Sequence, residues 1–315
     1  MESLFVSGRL AGYAAILLAA FLFGMWATVG KFVVTGVHPL TAAWFVQAVS
    51  ALAFSPFLGR LRLTRRDLKY AVTASGLGAV LAPSMYFTGL ALTTPVNAAL
   101  LSNTEALFTI TFAFVFLRER LSRAGYLSAV AILAGAVLVA LDLEEGGSVG
   151  IVPALVGNVL LVAAAACWGA SNTASRVVTS RHDIPSYVCV TFGMGAIFLA
   201  PIVLLTGNPL VPPAGNLPLM VFLGLTGSVG FTYLFYFAMR KIGALQVGAI
   251  LSTSAAFGVS IAVAFGFSLS PVQALGGAVM ALGVVALYRQ PPAKGLERAA
   301  QIAGDGRPDG PAPKG

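Results

Sequence analysis

Charged side chains are scarce. Asp, Glu, Lys and Arg make up 10% of the 315 residues, against about 25% in a typical soluble chain. So few cannot coat a water-exposed surface, and they equally exclude disorder or a coiled coil, both of which need far more charge. Cysteine is nearly absent. Cys167 and Cys189 cannot staple a secreted scaffold, and both fall inside apolar runs, where they read as small packing residues. The two histidines, His38 and His182, stand near Pro39 and Pro185 with neither zinc-like spacing nor an evident partner. No catalytic constellation, metal site or cofactor motif stands out. The lack of a Gly-Lys phosphate loop excludes ATP-driven work by this chain. What fills it is hydrophobic, 58% of all residues, and an integral membrane protein is the class that remains.

A spanning helix needs about 20 mostly apolar residues, whereas a barrel strand needs about 10 with alternating polarity. Here the runs are long and unbroken: Leu10 to Gly30 carries no charge, and Tyr70 to Leu117 holds a single ionisable residue, Glu105. The fold class is therefore all-α integral membrane. The longest runs divide at Thr93-Thr94-Pro95, Asn208-Pro209 to Pro218, and Ser268-Leu269-Ser270-Pro271, where proline and glycine interrupt a helix. Ten transmembrane helices follow. The first five are Ala11 to Val34, Pro39 to Leu58, Tyr70 to Leu92, Pro95 to Leu117 and Ala124 to Leu141. The second five are Val152 to Ser175, Pro185 to Thr206, Leu217 to Met239, Ala244 to Phe267 and Pro271 to Tyr288. The first span is too long, and its start too poor in basic residues, for a secretion signal, so it reads as a retained helix. Residues 290–315, rich in Pro, Gly and Ala, read as a disordered tail.

Basic residues orient the chain. With both termini cytoplasmic, 18 of the 19 Lys and Arg residues fall on the cytoplasmic side, leaving Lys31 on the other. The acidic loop of Asp142, Glu144 and Glu145 lies outside. The net charge of +8 is thus a topology signal and not a nucleic-acid footprint.

The two halves, 11–141 and 152–288, repeat one another at an offset of about 145 to 150 residues. Phe23-Gly24 precedes Thr28 and Lys31 as Trp168-Gly169 precedes Thr173 and Arg176, at the same spacing. Tyr86-Phe87 and Tyr236-Phe237 match, as do Ala98 to Ser102 with Gly248 to Ser252, and Leu133 to Val137 with Ala281 to Val285. Five spans per half make the repeats inverted. Such symmetry supplies two near-equivalent shapes, one open to each side, which is the basis of alternating access.

The Phe-Gly or Trp-Gly pairs, the Lys31 and Arg176 seven residues beyond each glycine, and the segment Phe116-Leu117-Arg118-Glu119-Arg120-Leu121 resemble the EamA family of the drug/metabolite transporter superfamily. The resemblance covers nearly all of residues 10–289. It implies export or uptake of small metabolites, amino acids or drugs. Two departures stand out. Members often carry Glu-Pro where this chain has Glu105-Ala106, which removes the residue that would kink the fourth helix. Leu269 replaces a second-half match to Glu119, so the halves are expected to do unequal work.

Glu105 is the sharpest candidate site residue. It is the eleventh residue from Pro95, which puts it roughly 15 Å deep at about 1.5 Å per residue. A carboxylate there is costly to ionise and faces a bundle interior or a wet cavity. Ser102 and Thr109 share its helical face. The role suggested is proton coupling or amine binding; the competing role is structural glue between helices. Lys31 and Arg176 read either as paired charges for an anionic group or as basic side chains snorkelling to the interface. Trp168, Asn172 and Ser175, with Ser171 alongside and with Trp26 and Thr28 on the equivalent stretch of the first helix, suit a cavity that stacks and hydrogen-bonds a small solute, although such residues also join helices without a ligand. Tyr86 and Tyr236 gain weight from the resemblance, which places their helices around a central cavity. Gly76, Gly78, Gly224, Gly227 and Gly230 read as close-packing or sliding faces, and Pro83 as a kink in the third helix.

The expectation is a secondary transporter of the inner or plasma membrane. It would export amino acids or related amphipathic or aromatic solutes, with protons as the candidate coupling ion. A lipid or drug flippase is the runner-up. A channel or a membrane-embedded enzyme fits less well, because Glu105 stands nearly alone. Expected partners are a small-molecule substrate and the lipid bilayer, with no nucleic acid, and the chain reads as a monomer or homodimer.

Overall fold

A computed structural model of the chain describes residues 2–60, 64–117, 123–141, 151–179, 182–242 and 244–288. Among the described residues the fold is all-helical and no strand forms. The tail, 290–315, and the acidic loop of Asp142, Glu144 and Glu145 lie outside them, as does the Arg176 side chain.

Seven α-helices build the first half: α1 (Glu2–Val34), α2 (Pro39–Phe54), α3 (Arg65–Ser75), α4 (Ala82–Leu92), α5 (Pro95–Leu101), α6 (Thr104–Leu117) and α7 (Arg123–Leu141). The second half holds α8 (Ile151–Thr179), α9 (Ile184–Leu205), α10 (Leu217–Leu223), α11 (Phe231–Ile242), α12 (Ala244–Leu251), α13 (Ser254–Ala264) and α14 (Pro271–Tyr288). Among the described residues, seven continuous stretches are long and apolar enough to cross a membrane: Leu10–Val34, Pro39–Leu58, Asp67–Leu92, Arg123–Leu141, Ile151–Thr179, Ile184–Leu205 and Ala214–Met239. The remaining three expected spans are built differently. Pro95 to Leu117 and Ala244 to Phe267 are each interrupted, and α14 is an apolar helix of 18 residues.

Local chemistry sets the helix ends. Thr94 caps α5 by accepting from the Asn97 amide, with Pro95 in the first turn, and Asp183 caps α9 by accepting from the Ser186 amide. A proline in the first turn sacrifices no intrahelical bond, because the first amides of a helix have no partner anyway. Beyond α9 and α13 the chain turns through Gly207 (φ 75°) and Gly266 (φ 90°), a left-handed geometry that glycine adopts without strain.

The third span shows how a proline is accommodated. Gly76–Leu81 forms a π-helical turn between α3 and α4, ahead of Pro83. Pro83 has no N–H to offer, either to the Ala79 carbonyl four residues back or, in the π register, to the Gly78 carbonyl five back. Two side chains replace it: Trp168 Nε1 donates to Gly78 O at 3.0 Å, and Gln47 Nε2 donates to Ala79 O at 2.9 Å. A second π-helical turn, Gly224–Gly230, stands at the matching place between α10 and α11. The sequence suggests a kink at Pro83 and small faces at these glycines; the wider turns themselves are visible only in three dimensions.

The closest helix pairs join one half to the other. α7 lies along α14, α2 along α9, α4 and α6 along α8, and α1 along α11 and α13. The pairings are tight enough to require glycine. A Cβ on Gly89 of α4 would stand 2.7 Å from the Gly157 carbonyl oxygen of α8, and one on Gly157 would stand 2.8 Å from that of Gly89. Alanine at either position must therefore push α4 and α8 apart. Overpacking of this kind costs about 1–3 kcal/mol, so Gly157→Ala should lower the thermal unfolding midpoint of the detergent-solubilised protein, and an unchanged midpoint would refute so close a crossing.

Candidate substrate site

The fourth expected span is not continuous. It stops at Leu101 and resumes at Thr104, although Ala106 stands where a proline would kink it. Across the break the amides of Asn103, Glu105 and Ala106 bond three residues back, to Leu100, Ser102 and Asn103. The Thr104 hydroxyl donates to Leu101 O at 2.7 Å. An equivalent interruption at Ser252-Thr253 separates α12 from α13, where the Thr253 amide bonds back to Ile250 O. Short polar side chains stabilise these tight turns by meeting nearby backbone groups, as serine and threonine commonly do.

Glu105 enters α6 directly after the break. It is half-buried, and Asn172 of α8 donates from Nδ2 to its Oε1 at 2.7 Å. The same Nδ2 lies 3.5 Å from Thr109 Oγ1, so Glu105, Thr109 and Asn172 form one polar group across α6 and α8. Asn172 itself is exposed, which leaves the pair reachable from outside the packed core. Gly169 lets the two helices meet: a Cβ there would stand 2.6 Å from the Thr109 amide nitrogen.

Three aromatic rings gather next to this crossing. Trp26 stacks on Tyr86 with centroids 5.2 Å apart, and Trp168 lies 5.4 Å from Tyr86 and 6.0 Å from Trp26. Phe23, Gly24, Trp26, Ala27, Tyr86, Ala99, Ser102 and Ser254 line a small cavity there. Both helix breaks thus reach the cavity, through Ser102 and Ser254. Trp26 Nε1 is buried without an acceptor, and so is the Asn103 amide nitrogen. Offset stacking of planar groups together with free donors suits a flat solute carrying an acceptor.

Several expected site residues are brought together: Tyr86, Ser102, Glu105, Trp168 and Asn172. Others are not. Tyr236 packs in a separate cluster with Phe54, Val188 and Cys189. Ser175 meets the Tyr187 hydroxyl at 2.9 Å, and Ser171 donates to Ala74 O. Lys31 Nζ donates to Leu90 O (2.9 Å), Ala91 O (3.2 Å) and Thr93 O (2.7 Å), closing the end of α4, and pairs with no acid among the described residues. His182 does have a partner, since its Nε2 lies 3.1 Å from Asp67 Oδ2. That pairing joins residues 115 apart and leaves no local signal in the sequence. Trp26, on the stretch of α1 equivalent to that of Trp168 on α8, joins Tyr86 and Trp168 as the third ring.

A profile of the EamA-like transporter family matches residues 10–141 and 155–289, which is most of the chain. The chain belongs to the EamA-like transporter family. EamA proteins form part of the drug/metabolite transporter superfamily, and this one is a multi-pass membrane transporter. A relative from Methanothermobacter thermautotrophicus, named an uncharacterized transporter, is 31% identical over 302 residues, covering 89% of this chain and 87% of its own. Another uncharacterized transporter, YyaM of Bacillus subtilis, is 24% identical, covering 78% of this chain and 82% of its own. A solved crystal structure shares the fold, with a TM-score of 0.59 and 23% identity over 89% of this chain and 96% of that one.

The position of Lys31 in this EamA protein carries a prediction. Replacing it by methionine strips the donors from three carbonyls at the end of α4. Each unmet buried group costs about 1–3 kcal/mol. Lys31→Met should therefore lower the thermal midpoint and reduce flux of anionic and neutral solutes alike; selective loss of anionic flux at unchanged stability would restore a charge-recognition role.

Proposed function

We propose that the protein is a secondary transporter working by alternating access on small amphipathic or aromatic solutes such as amino acids. In this reading ten spans form two inverted five-helix repeats, with both termini in the cytoplasm and export as the direction. The paired features support it: helix breaks at Ser102-Asn103 and Ser252-Thr253, π-helical turns at Gly76–Leu81 and Gly224–Gly230, and the glycines Gly24 and Gly169 each set against the half-helix that follows a break. Broken helices near the membrane midplane are where transporters of this architecture hold substrate and coupling ion.

The observation that carries the reading is the Glu105–Asn172 hydrogen bond beside a cavity lined from both halves. In an apolar layer a carboxylate is met by a proton or by a cation. Glu105 does one or the other in each half of the cycle: a substrate ammonium displaces the proton on one side, and the proton displaces the substrate on the other. Asn172 holds the carboxylate toward α8, and Trp26, Tyr86 and Trp168 hold the solute's flat or apolar part. The chemistry is binding and release only, so the driving force comes from the solute and proton gradients.

The test begins with a thermal-shift panel of the common amino acids and continues with counter-flow of the best stabiliser in proteoliposomes. Glu105→Gln should reconstitute at parental yield, retain the fold, and lose pH-driven flux. Asn172→Ala should keep pH-driven flux but weaken it about tenfold, the effect of losing one hydrogen bond to a charged group. Parental pH-driven flux in Glu105→Gln would remove the carboxylate from the mechanism.

A further inference from the structure

At one end of the bundle, four side chains from four helix ends close into a single buried network. Thr93 follows α4, Asn97 lies in the first turn of α5, Asn158 in the second turn of α8, and Gln273 in the first turn of α14. Thr93 Oγ1 donates to Asn158 Oδ1 (2.8 Å), and Asn97 Nδ2 donates to both Thr93 Oγ1 and Asn158 Oδ1 (3.1 Å each). Gln273 Nε2 donates to Asn97 Oδ1 (3.0 Å), and Asn158 Nδ2 donates to Ala140 O (3.0 Å) at the end of α7. Lys31, from the end of α1, holds the Thr93 carbonyl of the same corner. The four are between 0 and 4% exposed. Two of them come from each half of the chain, so six helix ends meet here.

We propose that this clasp is the gate of the transporter's non-cytoplasmic end, closed in this structure, and that its parting opens the cavity to that side. The inference rests on the orientation and alternating-access reading given above. Its support is a difference between two corners related by the repeat. At the repeat offset, Asn97 corresponds to Val247, which packs in an apolar cluster with Ala15, Ile16, Ala19 and Ala238. The corner at Asn97 is therefore tied by directional bonds and its symmetry mate at Val247 by apolar contact, while elsewhere at the cytoplasmic end Asp67 and His182 join the starts of α3 and α9. Amide and hydroxyl groups at the end of a helix bundle can trade one another for water at small net cost, because each bond contributes only about 0.5–1.5 kcal/mol once solvent is counted. A network of this kind opens as a unit and recloses, whereas exposing a large apolar seal costs in proportion to its area. The Thr93-Thr94-Pro95 link between α4 and α5 supplies a joint beside it.

The test measures sidedness and needs no substrate. In full-length protein with Cys167 and Cys189 replaced by alanine, Ser102→Cys reports on the cavity. A membrane-impermeant maleimide is applied to right-side-out and inside-out vesicles. Thr93→Val removes the hydroxyl at the centre of the clasp and keeps its volume, and Gln273→Leu removes the arm from α14. Each should raise the rate of outside labelling about tenfold, the population shift expected from one lost buried hydrogen bond, and Thr93→Ser should return it to the parental rate. Unchanged outside labelling in both variants, with parental elution on gel filtration, would make the clasp static and overturn the proposal. Single cysteines at Thr35 and Asp183 separate the two readings: labelling of Thr35→Cys from the cytoplasmic face would refute the orientation, whatever the clasp does.

Discussion

Any polar group carried into an apolar layer must be met by another part of the protein, because no water is there to meet it. Most of the tertiary structure of this chain answers that demand. At the π-helical turn ahead of Pro83, where a backbone donor is missing, Trp168 and Gln47 arrive from different helices to meet the Gly78 and Ala79 carbonyls. The end of α4 leaves carbonyls without donors, and Lys31 supplies three. Thr93, Asn97, Asn158 and Gln273 satisfy one another. Four of these bonds run between the halves and the others tie elements of the first half together, so the groups that would be costly alone help determine which helices sit together.

Two of the five buried polar atoms left without a partner among the described residues lie at the candidate site; the others belong to Thr28, Gln47 and Asp67. Trp26 Nε1 and the Asn103 amide are buried donors without acceptors. Trp26 lines the small cavity, and Asn103 stands in the helix break beside it. Unmet buried donors are uncommon in a finished fold. Here they accompany a carboxylate, two interrupted helices and three clustered aromatic rings, a concentration of features that a purely structural core does not require.

The two breaks illustrate how local and tertiary effects divide the work. Serine, asparagine and threonine at 102–104 and 252–254 can turn the backbone back on itself, and no proline is needed. Gly24 and Gly169 then bring a neighbouring helix close against the half-helix beyond each break. In the first half that crossing carries Glu105 and Asn172. The same crossing in the second half brings Gly24 against Ser254 and Gly258 without an acid, so the pairing of the halves in shape does not extend to their chemistry.

Sequence by itself determined the membrane class, the helical content, most helix limits and the family, because each is written in composition, run length or a spacing along one segment. It also singled out Glu105, since an acid in a long apolar run is conspicuous without any neighbours. Only tertiary structure decided what these residues touch. It gave Glu105 the Asn172 amide, set Lys31 against the carbonyls at the end of α4, gave His182 to Asp67, separated Tyr236 from Tyr86, and assembled the clasp from residues up to 180 positions apart. The reason is geometric: a hydrogen bond between helices depends on how they cross and rotate, and those angles follow from the packing of every helix at once, which no single stretch of sequence contains.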